Sequence, residues 1–281
     1  MKKSKAKLAI IISVSVVLIG LLTFGYATFA YIHLHSFYSY DYTNYSSTKY
    51  IAHRGYSGKY YDNTEESILA ASENVFFDGI ETDIRLTKDK VWVCVHDDNP
   101  FIDKDILVSN SNYEDIKDLP LDISNAHVDA DVNRTYTLCT YERYLQILKN
   151  CNKIALIEIK GKYTQEELTP AVNMAYETLQ PTKIFFAGFD INNLQHVKKI
   201  NSRTKLLAFG NDLYEAYFYT KMGFNLGVNY QNAKESVIKR AHESNHLIFT
   251  YTVDSPNLAS QLKKNHVDFV ITNVCLTEKA N

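Results

Sequence analysis

The chain has 281 residues, 46% of them hydrophobic and 22% charged, with a formal net charge of −2. That apolar content excludes a disordered or low-complexity protein, and the length suits one large domain with a short appendage. Lys2, Lys3, Lys5 and Lys7 are the only formal charges before Asp41; the remainder therefore carries 26 basic against 32 acidic residues, a net of −6, which argues against non-specific nucleic-acid binding.

Residues 1–7 form a basic tail, followed by an uncharged apolar run of 25 residues, 8–32. That run is long enough to cross a ~30 Å hydrocarbon core with some tilt. The lysines should stay in the cytoplasm, giving a single-pass protein of the cell membrane with the rest of the chain outside. Thr28-Phe29-Ala30 offers a weak signal-peptidase site, but the run exceeds the usual apolar stretch of about 7–15 residues in a signal peptide, so an uncleaved anchor is expected. Residues 33–49 are polar and rich in Tyr and Ser and read as a stalk, with Tyr31, Phe37 and Tyr38 as candidate interface anchors.

The rest, residues 50–281, reads as one α/β domain. Short β-branched or aromatic-rich segments predict strands at 50–54, 79–84, 154–160, 183–189, 205–209, 225–230, 247–253 and 268–272. Helical spacing runs from an Asn63 cap with Glu66 three residues on, through Ile68, Leu69, Ser72, Val75 and Phe76. Further helices are predicted at 141–148, 166–179, 191–200, 213–222, 233–244 and 257–264. Eight strands alternating with helices predict a (β/α)8 TIM-type barrel, with a doubly wound open sheet as the alternative.

One segment breaks the alternation. The second strand continues through a tight turn at Lys88–Asp89 into residues 91–96, a hairpin that would bring His96 back toward Glu81. Residues 98–137 follow, with Pro100, Pro120 and many Asp and Asn, and read as an insertion above the barrel mouth. Cys94, Cys139, Cys151 and Cys275 have no CxxC or zinc spacing and read as buried small hydrophobes, with a disulfide left open. His127, His196, His242, His246 and His266 have no supporting spacing and read as surface or structural residues.

Active sites of such barrels lie at the C-terminal strand ends. His53-Arg54 ends the first strand, Glu81 and Asp83 share one face of the second, and Glu158 and Lys160 share one face of the third. Two histidines can exchange protons near neutral pH, three carboxylates can hold Ca²⁺ or Mg²⁺ with open positions, and the cations can bind phosphate. This inventory suits metal-assisted cleavage of a phosphodiester.

The motifs His53-Arg54-Gly55, Asn63-Thr64, Gly79 with Glu81-x-Asp83, Thr87-x-Asp89, His96-Asp97 and Glu158-x-Lys160, with a weaker match at Tyr251-Thr252-Val253 and at 268–273, resemble the glycerophosphodiester phosphodiesterase family over residues 50–275. The resemblance implies hydrolysis of glycerophosphodiesters to glycerol 3-phosphate and an alcohol. It implies Glu81, Asp83 and Glu158 as metal ligands, His53 and His96 as the acid–base pair, and Arg54 and Lys160 as phosphate contacts. Three positions depart from the family pattern: Tyr61-Asp62 stands for Pro-Glu, Lys90 for a glycine and Tyr251 for a tryptophan. A lysophospholipase D-like or teichoic-acid phosphodiester hydrolase, or a non-catalytic binding barrel, are the competing expectations.

Overall fold

The computed structural model describes residues 47–277 except Val128, together with Gly20, Thr23 and Gly25, which are helical. The basic tail, the rest of the apolar run and the stalk up to residue 46 lie outside the described residues. Among those described, no helix is long and apolar enough to cross a membrane. The domain in question falls within the unit Tyr45–Asn281.

In chain order the strands are β1 (Lys49–Ala52), β2 (Gly79–Leu86), β3 (Trp92–Cys94), β4 (Cys139–Thr140), β5 (Ile154–Ile159), β6 (Ile184–Gly188), β7 (Lys205–Gly210), β8 (Asn225–Asn229), β9 (Ile248–Tyr251) and β10 (Phe269–Thr272). The helices are α1 (Glu65–Glu73), α2 (Tyr113–Ile116), α3 (Tyr141–Cys151), α4 (Gln165–Thr178), α5 (Ile191–Ile200), α6 (Leu213–Lys221), α7 (Glu235–Glu243) and α8 (Pro256–Lys264). β1 pairs in parallel with both β10 and β2, so the eight parallel strands close into a barrel and the open sheet is ruled out. All eight strands expected from the sequence are present. β3 runs antiparallel to β2 with Ile84 opposite Cys94, which is the expected hairpin, and β4 adds to its outer edge.

Closure explains the composition of the strands. A parallel strand covered on both faces needs apolar side chains all along, and every residue of Ile-Ala-Leu-Ile-Glu-Ile in β5 is buried. Inside the barrel, Ile51, Leu156, Phe185, Leu207, Phe249 and Phe269 form a separate core; Phe249 and Phe269 stack with centroids 4.1 Å apart. A larger apolar layer lies between strands and helices, where the fully buried Tyr144 still donates its hydroxyl to the Ile80 carbonyl at 2.7 Å.

Two details differ from the sequence reading. The cap of α1 is Thr64, in a capping box with Ser67, not Asn63 with Glu66. Asn63 sits at φ 58 with its side chain turned inward, because a barrel carboxylate competes for it. The helix then stops at Glu73, leaving Val75 exposed while Phe76 packs on Tyr50. The insertion is more ordered than its composition suggests: its Phe101, Val108, Ile116, Leu121 and Tyr136 make a small core with Val93 and Val95 of the hairpin arm.

Cutting Phe249 to alanine opens a void where no solvent reaches and should cost about 3–5 kcal/mol of stability. The check is a denaturant titration, with the midpoint lowered at unchanged slope. A loss below about 1 kcal/mol, outside that range, would mean that the barrel interior is not packed in this way.

Candidate active site

β1 ends at Ala52, and the chain turns sharply at His53-Arg54-Gly55. Arg54 has φ 55 and Gly55 φ 79. The Gly55 N–H donates to the Glu81 carbonyl at 3.1 Å, and a Cβ on Gly55 would collide with Ser67 of α1, so conformation and space both demand glycine. The turn lays the Arg54 N–H on Glu81 Oε2 at 2.7 Å.

Alternation along β2 points Glu81 and Asp83 inward, and Asp83 is the register partner of Glu158 on β5. One oxygen from each of Glu81, Asp83 and Glu158 lies within 4.8 Å of the others, and all three residues are buried. Asn63 fixes the middle one: its amide nitrogen donates to Asp83 Oδ2 at 2.8 Å, and its oxygen accepts from the Asp83 N–H and the Thr82 hydroxyl. Arg54 reaches Asp83 at 3.2 Å and Asp62 at 2.8 Å; Lys160 reaches Asp83 at 3.2 Å and Glu158 at 2.6 Å. Asp62, one methylene shorter than the family's glutamate, still grips the arginine.

The two cations do not balance the acids evenly. Burial would raise the Asp83 carboxyl, but Arg54, Lys160, His96 and the Asn63 amide outweigh it and hold it well below its ordinary value. Glu81 is raised well above its own, by burial and then by Asp83 and Glu158. Glu158 is pushed up to about 7 by burial and then Asp83, with Lys160 pulling the other way. Glu81 Oε1 is buried and has no hydrogen-bond partner among the described residues. Crowded, dry carboxylates with an unused oxygen fit a hard divalent cation, which would supply the missing positive charge.

His53 and His96 face the same cavity of about 170 Å³ as Glu81, Glu158 and Lys160. His53 Nδ1 lies 2.7 Å from Asn273 Oδ1. Asn273 donates its own amide nitrogen to Asp254 Oδ2 at 2.6 Å, so its oxygen must accept and His53 Nδ1 carries the hydrogen. Burial and then Arg54 push His53 down to about 4. His96 Nδ1 lies 2.9 Å from Asp97 Oδ1; burial lowers its pKa while Asp83 opposes that. The hairpin places it: Val95 donates to the Asp83 carbonyl, and Arg85 Nε donates to the His96 carbonyl.

Phe189, Phe209 and Tyr251 wall the far side, Phe189 stacked on Phe209 and Tyr251 edge-on to it. The tryptophan-to-tyrosine change thus falls on the wall. Lys90 does take the left-handed φ of 69 where the family has glycine, in a turn held by the Thr87–Asp89 hydrogen bond. All seven residues expected from the sequence converge on this mouth. Asn273, the last residue of the weaker match, and Asp254, not expected from the sequence, stand behind His53; His127, expected as a surface or structural residue, is brought by the insertion to a neighbouring cavity of about 200 Å³ lined by His53 and Arg54. His127 had no spacing signal because the insertion's path sets its place. A larger groove of about 390 Å³ beside Tyr60, Glu66 and Arg134 holds none of these groups.

Comparison with known proteins agrees with this arrangement. The model of the glycerophosphoryl diester phosphodiesterase family matches residues 53–277. A glycerophosphodiester phosphodiesterase of Caldanaerobacter subterraneus is 27% identical over 235 residues, 79% of this chain and 93% of that protein. An uncharacterised protein of Mycoplasma genitalium is 29% identical over 161 residues; the match spans 55% of this chain and 64% of that protein's length. An Oleispira antarctica phosphodiesterase, solved in complex with the product sn-glycerol-3-phosphate, superimposes with a TM-score of 0.70 at 17% identity, over 82% of this chain and 94% of that one, and shares the fold. With its barrel closed and its motifs gathered at one mouth, the chain belongs to the glycerophosphoryl diester phosphodiesterase family and is an enzyme of that class.

Proposed function

We propose that the protein hydrolyses glycerophosphodiesters to glycerol 3-phosphate and an alcohol, with a divalent cation held by Glu81, Asp83 and Glu158. The observation that carries the reading is the buried carboxylate triad set against two histidines in one cavity. A cation bound there supplies charge to the non-bridging oxygens of the phosphodiester. Arg54 and Lys160 each have donors beyond their carboxylate pairs and add to the same electrostatic cradle.

The histidines divide the proton work by their partners. His53 keeps its hydrogen on Nδ1 and is neutral at pH 7, leaving Nε2 as a base for the attacking hydroxyl, which the family resemblance takes to be a neighbouring hydroxyl of the glycerol. His96 leans on the Asp97 carboxylate, which favours its imidazolium against the burial that lowers its pKa; this partner assigns to its Nε2–H the protonation of the leaving alkoxide. We place the reaction on the outer side of the membrane, with residues 8–32 as anchor and 33–49 as stalk; the support is the lysine-flanked apolar run.

A lipid-derived substrate, in the manner of a lysophospholipase D, is the second reading. It is favoured by apolar side chains that stay exposed: Phe189 on the wall, and Ile102 and Val132 in the insertion. A panel of glycerophosphodiesters, lysophospholipids and teichoic-acid fragments, each with and without EDTA, ranks the candidates.

The metal reading predicts that Glu81→Gln, Asp83→Asn and Glu158→Gln each abolish most turnover, and that chelation silences the wild type until Ca²⁺ or Mg²⁺ returns. It also predicts a pH signature in melting curves. A Glu158 raised to about 7 holds its proton longer in the folded than in the unfolded chain, so its contribution is complete at low pH and lost as pH rises through about 7. In EDTA the melting temperature should fall from pH 6 to 8, less steeply in Glu158→Gln, and added cation should raise it more at pH 8. Full activity in excess EDTA, or equal slopes in both proteins, would sink the metal site.

For the histidines, His53→Ala and His96→Ala should each lower kcat by about 10²–10⁴-fold. A p-nitrophenyl leaving group, which needs no proton, should rescue His96→Ala and not His53→Ala. Rescue of the opposite variant reverses the roles; losses under about tenfold, below that range, remove them.

For topology, a stalk of 17 residues extends at most about 60 Å at ~3.5 Å per residue. Protease added to intact cells should clip it and release active protein beginning near residue 45. Release only after the membrane is breached would invert the orientation, and a free protein beginning near residue 31 without protease would show a cleaved signal.

A further inference from the structure

Beside the catalytic mouth, where Cys94 lines a cavity with Arg54 and His96, two cysteines are register partners. Cys94 ends β3 and Cys139 begins β4, and they are direct partners in the antiparallel pairing. Directly opposed residues of such a pair project to the same face, with Cα atoms about 4.5–5.5 Å apart, inside the ~4.4–6.8 Å span that a disulfide bridges. Both are buried in the same apolar cluster. The Cys139 thiol, which also approaches the Thr140 carbonyl at 3.5 Å, is raised well above its ordinary value, first by hydrogen bonding to Cys94 and then by burial. The other two cysteines have different neighbours: Cys151 approaches the Leu148 carbonyl and Cys275 the Thr277 hydroxyl.

We propose that Cys94 and Cys139 form a dithiol–disulfide site whose oxidised state staples together the two ends of the segment that carries the 98–137 insertion. The inference does not depend on the phosphodiesterase reading. The oxidant is a low-molecular-weight disulfide. One cysteine thiolate attacks it, forming a mixed disulfide and expelling one thiol; the second cysteine displaces the other thiol. Two protein S–H bonds and the oxidant's S–S bond are lost, and one protein S–S bond and two small thiols are formed.

The position gives the bond a mechanical meaning. β3 runs through Val95 into His96, and β4 leads through Thr140, whose hydroxyl caps α3. Between them the insertion carries Asn125 and His127 to the cavity beside His53. A crosslink closes that whole excursion and restricts the unfolded chain. A buried thiol with a raised pKa exchanges slowly, so the bond is set while the chain folds and is protected afterwards.

The test uses the full-length protein in detergent, unfolded and then refolded in parallel in a mixture of reduced and oxidised glutathione and in dithiothreitol. Each sample is acid-quenched, alkylated under denaturing conditions and analysed by mass. The glutathione product should carry two alkyl groups instead of four, and its digest should contain a peptide joining Cys94 to Cys139. It should melt several degrees higher than the reduced form, and protease should cut it more slowly between 98 and 137. Cys94→Ala and Cys139→Ala should each keep all three remaining thiols free. A second arm secretes the protein into an oxidising bacterial periplasm and alkylates it directly, which covers failure to refold. Four free thiols in both arms, a bond to Cys151 or Cys275, or a crosslinked form with unchanged melting and proteolysis would overturn the proposal.

Discussion

Three carboxylates crowded at the mouth of a dry barrel are the constraint to which the surrounding structure answers. Glu81, Asp83 and Glu158 repel one another and resist ionisation together. Every neighbouring feature reduces that cost. The left-handed turn at Arg54 puts a backbone N–H on Glu81. Arg54 and Lys160 converge on Asp83, and Asn63 leaves helix-capping to Thr64 so that its amide can do the same. A barrel built for stability alone would place apolar side chains at these inward positions, as β5 does lower down with Ile154 and Leu156.

The outcome is an asymmetric set. One carboxylate is firmly ionised, and the other two have their pKa raised. The asymmetry follows from which acid each base can reach: Arg54 and Lys160 both pair with Asp83, while Glu81 has the Arg54 backbone N–H and feels the Arg54 charge without an ion pair. The histidines are differentiated by the same logic. The amide behind His53 fixes its tautomer, but burial and Arg54 outweigh the support it gives the charged form; the carboxylate behind His96 likewise favours the charge, against burial.

Much of this was legible in the sequence, and what was missed shares one cause. The strands were readable because closure on both faces demands unbroken apolar runs, as in residues 154–159. The seven site residues were readable because they sit at strand ends, where alternation and chain order fix direction. The hairpin followed from two short apolar arms about a polar turn. Asn63 was misread because Asn and Thr are both good caps, and only the third-dimensional neighbour Asp83 decides between them. Asp254, Asn273 and His127 reach the site from loops, where no period constrains direction. The insertion's small core was hidden because its buried apolar residues, Phe101, Val108, Ile116, Leu121 and Tyr136, are too sparsely scattered for any regular spacing.

The hairpin has a consequence for how such a barrel can change. β3 and β4 are neighbours, so the chain leaves for its excursion and returns at adjacent points outside the ring of eight parallel strands. No strand of the ring begins or ends inside the excursion. Its length and composition are therefore uncoupled from barrel closure, and from the acids and His53, which stand on the ring itself. The insertion is thus a unit packed on the hairpin arm through its small core, hung beside the mouth from a single hairpin of the ring.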